Sequence, residues 1–461
     1  MSSPPVATIA ARIDRLPTTR FVRKLIVLIS LGGWFEFYDL FFTAAVGAGL
    51  VKSGIFKLGP NPLEFTSLAS FVAALFTGLF IGTIAFAWLS DRFGRRSIFT
   101  FGLLWYSVGS FILAFQQTAF DIDLWRMIAC IGLGVELVNV DVYVSELVPK
   151  DRRGPAFAFN QAVMYTAVPT IALLAYLMAP PFTFLGLEGW RWVVLIGSLG
   201  AVLVWWIRLG LPESPRWLAQ HGRDAEAERI VAEMERVAEA ETGRALPEPE
   251  LVQGEGETKR GVWREMWSEQ YRGRTVMLVV YNLFQTVGYY GFQAWVPQFL
   301  ISKGISVTTS LQYTFIIAIA NPVGPLIGIW LADRFERKWQ IAWAAAGIAV
   351  FGLVFAQQSG MVLLIVCGIL ITLSANWLSF SFHAYQAELY PTRIRAQAVG
   401  FVYSWSRFST IFSPFIIQWF LGNYGPTGVF GLIAAAMAVV FVVVGVFGPN
   451  VTRLRLEAIA A

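Results

Sequence analysis

Apolar residues run along this chain in blocks of about 20–25, and polar residues gather between the blocks. About 20 consecutive apolar residues are what a helix needs to cross roughly 30 Å of hydrocarbon. The blocks fall at 25–50, 65–90, 97–117, 123–148, 155–179, 191–211, 275–300, 308–332, 338–357, 361–386, 396–421 and 427–448. A membrane-spanning barrel would show short alternating segments instead of continuous runs. The pattern therefore predicts an all-α integral membrane protein with twelve transmembrane helices.

The polar gaps differ in charge. After odd-numbered spans they hold few basic residues, with Lys52, Lys57 and Lys303 clear of the helices. After even-numbered spans they read DRFGRR (91–96), KDRRG (150–154), DRFERK (333–338) and TRIR (392–395). The positive-inside rule places these basic loops and both termini in the cytoplasm.

Two gaps repeat. LSDRFGRR begins at Leu89 and LADRFERK at Leu331; SELVPKDRRG begins at Ser145 and AELYPTRIRA at Ala387. Both pairs are offset by 242 residues (331 less 89, and 387 less 145). A shared offset implies a duplicated six-helix unit, two pseudo-symmetric bundles with a central cavity between them near the membrane midplane. The expected organisation is a cytoplasmic segment 1–24, a first bundle 25–211, a cytoplasmic central loop 212–272, a second bundle 273–448 and a tail 449–461. Within the loop, DAEAERIVAEMERVAEAE (224–241) reads as an amphipathic helix in a short cytoplasmic bundle, and PEPELVQGEGETKRG (247–261) as flexible linker.

Composition agrees. Of 461 residues, 56% are hydrophobic and 14% charged, and the mean hydropathy is +0.60; soluble domains are about 25% charged. The net charge of +5 reflects the basic loops and is no nucleic-acid signature. Cys130 and Cys367 fall within spans and do not suggest a structural disulfide. The first apolar run is too long for a signal-peptide core and reads as a permanent span. No nucleophile–base pair, metal cluster or phosphate-binding loop argues for an enzyme or a cofactor.

The repeated loop residues can act as a cytoplasmic gate. Asp91, Arg95, Glu146 and Arg153 correspond to Asp333, Arg337, Glu388 and Arg395. Opposite charges at helix ends can latch one state and release in another. Positive-inside topology alone explains the basic residues but not the acidic ones.

These loops, with PESPRWL after span 6 and Arg126-x-x-x-x-Ile131-Gly132-x-Gly134 in span 4, resemble those of major facilitator superfamily transporters. The likeness covers nearly the whole chain and is to the sugar-porter branch and its metabolite-transporter relatives. It implies alternating access between two bundles.

Charge inside the spans then bears on chemistry. WFEFYDLFF (34–42) places Glu36 and Asp39 on one face of span 1. An acid at a helix centre costs roughly 2.5–3.5 kcal/mol to insert, so such residues face a cavity or a partner. In proton-coupled sugar porters an acid in span 1 pairs with an arginine in span 4, and Asp39 and Arg126 match those positions. Asp39 is the expected proton carrier, Arg126 its modulator and Glu36 an assistant; a permanent bridge that only fixes packing is the alternative. FEFYDLFF is also similar to the first span of carriers for small carboxylic metabolites. Span 4 adds Glu136, Asn139 and Asp141, either an interhelical clasp or a second protonation site.

The resemblance also implies a substrate site. Gln161 matches a sugar-binding glutamine of span 5, and Gln285 one of span 7. Tyr290 and Phe284 stand where sugar porters carry Asn and Gln, which argues against a hexose. Arg407, in the middle of span 11, is a permanent cation suited to a carboxylate; a bridge to an acid in another span is the alternative. Tyr289, Tyr290, Trp295, Trp377, Tyr403 and Trp405 could flank a ring, and Asn376 and His383 of span 10 are further candidates. Gly78-x-x-x-Gly82 reads as helix packing.

The expected function is proton-coupled symport of a small organic acid, an aromatic carboxylate among the candidates. A sugar or polyol symporter, a drug–proton antiporter and a nutrient sensor are the alternatives. The expected partners are a small-molecule substrate, protons and the lipid bilayer of an inner membrane, with the protein a monomer.

Overall fold

The computed structural model describes residues 5–17, 19–59, 61–64, 66–149, 153–200, 206, 210–249, 263–331, 335–390 and 392–450. The chain is built of transmembrane helices in the two-bundle arrangement that the repeat predicts. Span 1 is Arg20–Lys52, span 2 Leu68–Phe93, span 3 Arg95–Leu113 and span 4 Ala119–Leu147. Span 5 comes in two pieces, Arg153–Tyr165 and Ala167–Leu177, and span 6 is described over Gly189–Ser198. In the second half, span 7 is Arg272–Gln293 continued by Val296–Ser302, and span 8 is Val307–Ala318 continued by Val323–Leu331. Spans 9 and 10 are Arg337–Gln357 and Met361–Glu388. Spans 11 and 12 run through Thr392–Phe447, broken at Gly425, whose φ of 64° and following Pro426 turn the chain.

Several ends differ from the hydropathy blocks because capping groups set them. Span 1 begins at Arg20, not 25, where Thr19 accepts from the Val22 N–H. Span 2 begins at Leu68, not 65, behind a Ser67 cap. Span 3 ends by 113, not 117, and Thr118 starts span 4 at 119 by accepting from the Asp121 N–H. Pro297 and Pro322 lie at or beside the breaks in spans 7 and 8, where each removes a helical donor. Breaks and internal charges also explain why seven described helical segments are long and apolar enough, by length and composition, to cross a membrane unaided. Among the described residues, strand pairing is limited to a small hairpin between spans 5 and 6, Thr183–Phe184 with Leu187–Glu188, and a single bridge between Lys57 and Ser67.

Glycines let spans 2 and 4 touch. A Cβ at Gly82 would strike the Ile131 carbonyl, and one at Gly78 would strike that of Met127. The loop residues also form a small helical bundle outside the spans. The N-terminal helix Pro5–Asp14 packs on Pro215–Gln220 and Asp224–Thr242 through Ile9, Ile13, Trp217, Leu218 and Val231. Arg12 pairs with Glu228 and Glu235, and Arg216 with Asp14, at 2.6–2.8 Å. This bundle sits beneath the first half, against spans 1 and 4.

Candidate functional site

Span 1 faces span 4 with its acidic turn. Arg126 donates through Nη1 to Asp39 Oδ2 at 2.8 Å, and through Nη2 to the Asp39 carbonyl at 2.6 Å and Thr43 Oγ1 at 2.8 Å. Ser110 of span 3 donates to the other Asp39 oxygen at 2.7 Å. The guanidinium also lies 4.1 Å from the Phe42 ring centroid. Arg126 is 0% exposed and Asp39 2%, so the pair is shut away from water as well as from lipid. Such a pair gains when its remaining polar atoms are bonded, and Ser110 and Thr43 bond Asp39 Oδ1 and Arg126 Nη2, leaving Arg126 Nε without a hydrogen-bond partner among the described residues. Neither was singled out from sequence. Thr43 is four residues after Asp39, a spacing that shares a helix face, and could have been found that way.

Glu36 lies one turn toward the N-terminus of the same helix and is fully buried. Glu136 of span 4 is also fully buried, and neither of its carboxylate oxygens has a hydrogen-bond partner. The two acids are within electrostatic reach of each other. The side chains of Asn139 and Asp141 lie outside the described residues.

Aromatic rings separate this acidic cluster from the second half. Phe37 meets Tyr165 edge-on at 5.1 Å. The Tyr165 and Tyr289 hydroxyls share a hydrogen bond of 2.9 Å between spans 5 and 7. Tyr290 is edge-on to Tyr289 at 4.9 Å and to Phe76 at 4.8 Å.

Arg407 lies behind these rings. It is buried, donates to the Tyr403 hydroxyl at 3.3 Å, sits 5.1 Å from that ring and is hydrogen-bonded to Tyr290. Among the described residues no carboxylate is within ion-pair distance of it. His383 meets the Tyr403 ring at 5.5 Å. Gln285 donates to Ser406 at 3.3 Å, which brings it to the same span as Arg407. Asn376 lies apart from Arg407: its amide donates to the Asn321 carbonyl at 3.2 Å, and Gln293 donates to Asn321 Oδ1 at 3.3 Å. Gln293 and Asn321, two amides absent from the sequence-based set, line a cavity between the halves with Phe41, Ala44, Ile171 and Thr372. Its volume of about 30 Å³ holds one or two waters. A substrate needs the halves to move apart. Gln161 is half-buried in span 5.

At the span ends on the side of the N-terminal helix the two halves repeat each other. Arg95 binds Glu146 at 3.1 Å, and Arg337 binds Glu388 at 3.1 Å. These pairs join the loops after the first and second even-numbered spans within each half to one another. Glu213, after span 6, caps span 3 by accepting from the Arg95 N–H at 2.9 Å and the Arg96 N–H at 3.1 Å. The side chains of Asp91, Arg153, Asp333 and Arg395 lie outside the described residues.

Two helical bundles, a buried ion pair in one and an interior cation in the other define a major facilitator transporter, not an enzyme. The chain belongs to the sugar (and other) transporter family, whose model matches residues 25–461. It is 29% identical over 456 residues to the putative metabolite transport protein YyaJ of Bacillus subtilis, covering 98% of each chain. It is 28% identical over 441 residues to the niacin transporter NiaP of Acinetobacter baylyi, covering 95% of this chain and 97% of that one. The xylose transporter XylE of E. coli, in a partially occluded inward-open conformation, superposes with a TM-score of 0.74 at 20% identity, over 94% of this chain and 99% of that one.

Proposed function

We propose that this transporter couples the inward movement of a small organic acid, best fitted by an aromatic carboxylate, to that of protons. The observation that supports the substrate class most is Arg407. It is a buried permanent cation with tyrosines on it and no protein carboxylate within ion-pair distance among the described residues. A substrate carboxylate would complete it, and the rings of Tyr290 and Tyr403 would flank an aromatic body. Niacin, in the name of one relative, is such a compound.

Proton coupling fits Asp39 and Arg126. Burial favours a protonated carboxyl and a guanidinium favours an ionised one. A cycle that separates and rejoins them would load and release a proton. A D-xylose–proton symporter shares the fold. The rest of the reading is a monomer in the inner membrane with cytoplasmic termini, energised by the proton gradient without a resident cofactor. Arg95–Glu146 and Arg337–Glu388 would act as cytoplasmic latches within each half.

One observation favours a sugar or polyol instead. Gln293, Asn321 and Asn376 line or adjoin the inter-half cavity with amide groups suited to hydroxyls.

Proteoliposomes with an internal pH dye decide between them. Aromatic carboxylates should acidify the lumen, corrected for passive permeation with protein-free vesicles, and Asp39→Asn should abolish the signal. Acidification by sugars alone would overturn the acid reading. Full accumulation by Asp39→Asn would overturn the coupling role.

A further inference from the structure

We propose that Gln418 is the lock that holds the transport pathway shut on the membrane face opposite the termini. Gln418 belongs to span 11, in the second half, and is 1% exposed. Every partner that its amide binds lies in the first half. Its Oε1 accepts from the Ala69 N–H at 2.8 Å. Its Nε2 donates to the Gly59 carbonyl at 3.3 Å and the Lys57 carbonyl at 3.5 Å.

These partners are prepared for it. Ala69 is the second residue of span 2, so its N–H has no acceptor within the helix. Ser67 reaches the same N–H at 3.2 Å, and Gln418 provides the shorter bond. The loop before span 2 closes on itself, with the Lys57 N–H donating to the Thr66 carbonyl at 2.7 Å and the Leu68 N–H to the Lys57 carbonyl at 3.1 Å. That ring turns the Lys57 and Gly59 carbonyls toward one point. A single side chain thus ties together the loop, the start of span 2 and span 11.

The arrangement differs from the cytoplasmic ion pairs. Arg95–Glu146 and Arg337–Glu388 each lie within one half, so neither joins the halves directly. Gln418 does. Opening toward this face separates span 11 from span 2, and its three bonds break together. The buried amide then meets water, which replaces them. The bonds form in one state of the cycle, and their loss shifts the equilibrium toward the open one.

The test uses the full chain in right-side-out vesicles, with Ala44→Cys as a reporter in the cavity between the halves. Cys130 and Cys367 are buried and stay in place. A membrane-impermeant maleimide is added outside. Gln418→Met keeps the volume and loses the hydrogen bonds, and Gln418→Ala loses both. Each should label about tenfold faster than the parent, the size expected for one or two buried hydrogen bonds. Gln418→Glu should also label faster, since its carboxylate would face two carbonyl oxygens. Asn423→Ala, whose side chain bonds only within its own turn at 2.8 Å, should label at the parent rate. Equal rates in Gln418→Met and the parent, at equal melting temperature in detergent, would overturn the lock. If Gln418→Ala does not fold, the methionine variant decides.

Discussion

The two halves of this transporter share a frame and differ in what they hold. At the span ends beside the N-terminal helix the frame repeats closely: Arg95 with Glu146, and Arg337 with Glu388, both at 3.1 Å. In the interior the repeat is abandoned. Among the described residues the first half fully or nearly fully buries Glu36, Asp39 and Glu136, with Arg126 bound to Asp39. The second half holds Arg407 among tyrosines. Duplication supplies a pair of bundles that can rock, and divergence of the interior gives them different tasks. Buried acids in one bundle and Arg407, bonded to tyrosines and within electrostatic reach of Glu36, in the other are the two kinds of group that the proposed coupling of a proton to an anion would use.

The largest test of that contrast compares the two arginines. Arg126→Leu leaves Asp39 buried without its partner and should cost about 3–5 kcal/mol. Arg407→Leu removes a cation with no protein carboxylate within ion-pair distance among the described residues, and should cost less, about 1–3 kcal/mol for its lost bonds to Tyr403 and Tyr290, while abolishing anion uptake. Melting in detergent and uptake in proteoliposomes read both. Adding Asp39→Asn to Arg126→Leu should recover much of the lost stability without transport. If Arg407→Leu melts as low as Arg126→Leu, Arg407 is structural and the division of tasks fails.

A smaller effect separates the two repeated ion pairs. Arg95 is the better buried, 9% against 21% for its counterpart, and its turn is also capped by Glu213. Exposed ion pairs contribute at most about 1 kcal/mol, and burial raises the cost of losing one partner. Arg95→Ala should therefore lower the melting temperature more than Arg337→Ala. Equal losses would mean that burial does not distinguish the halves.

The frame was legible in the sequence because it is written in long-range patterns. Block length gives the spans, and a shared offset gives the duplication. Asp39 and Arg126 could be paired because they match the span-1 acid and span-4 arginine of the sugar porters that the sequence resembles. Gln293, Asn321 and Gln418 carry no such signal. They are neutral amides in apolar helices, and their meaning depends on which backbone groups the fold brings near them. Gln418 finds its partners some 350 positions away, at Ala69. Arg95 and Glu146 were both legible as gate residues, but that they bind each other depends on the packing of spans 3 and 4, which no local pattern encodes. Span ends were misplaced where one capping hydroxyl outweighed the hydropathy of several residues.

The smallest effect concerns the small bundle beside spans 1 and 4, in which Arg12 and Arg15 at the N-terminal helix bind Glu235 of the loop helix. Burial works against the Glu235 carboxylate, but hydrogen bonds from Arg12 and Arg15 outweigh it and hold the carboxyl below its ordinary range. The Glu235 hydrogen bond in turn raises Arg12 beyond its already high value, so Arg12 stays charged throughout. The sign follows from the depressed carboxyl. Docking of the N-terminal helix gains from Glu235 above the free carboxyl value, roughly 4.3, and loses that gain as pH falls through the lower docked value. The contribution is about 1 kcal/mol or less, as the groups are partly exposed. Limited proteolysis of Pro5–Asp14 should therefore be slow and constant near neutrality and accelerate in acid. In Glu235→Gln it should be faster at neutrality and lose most of its dependence on acid. Unchanged cleavage in that variant would show that Ile9, Ile13 and Trp217 hold the helix by apolar contact alone.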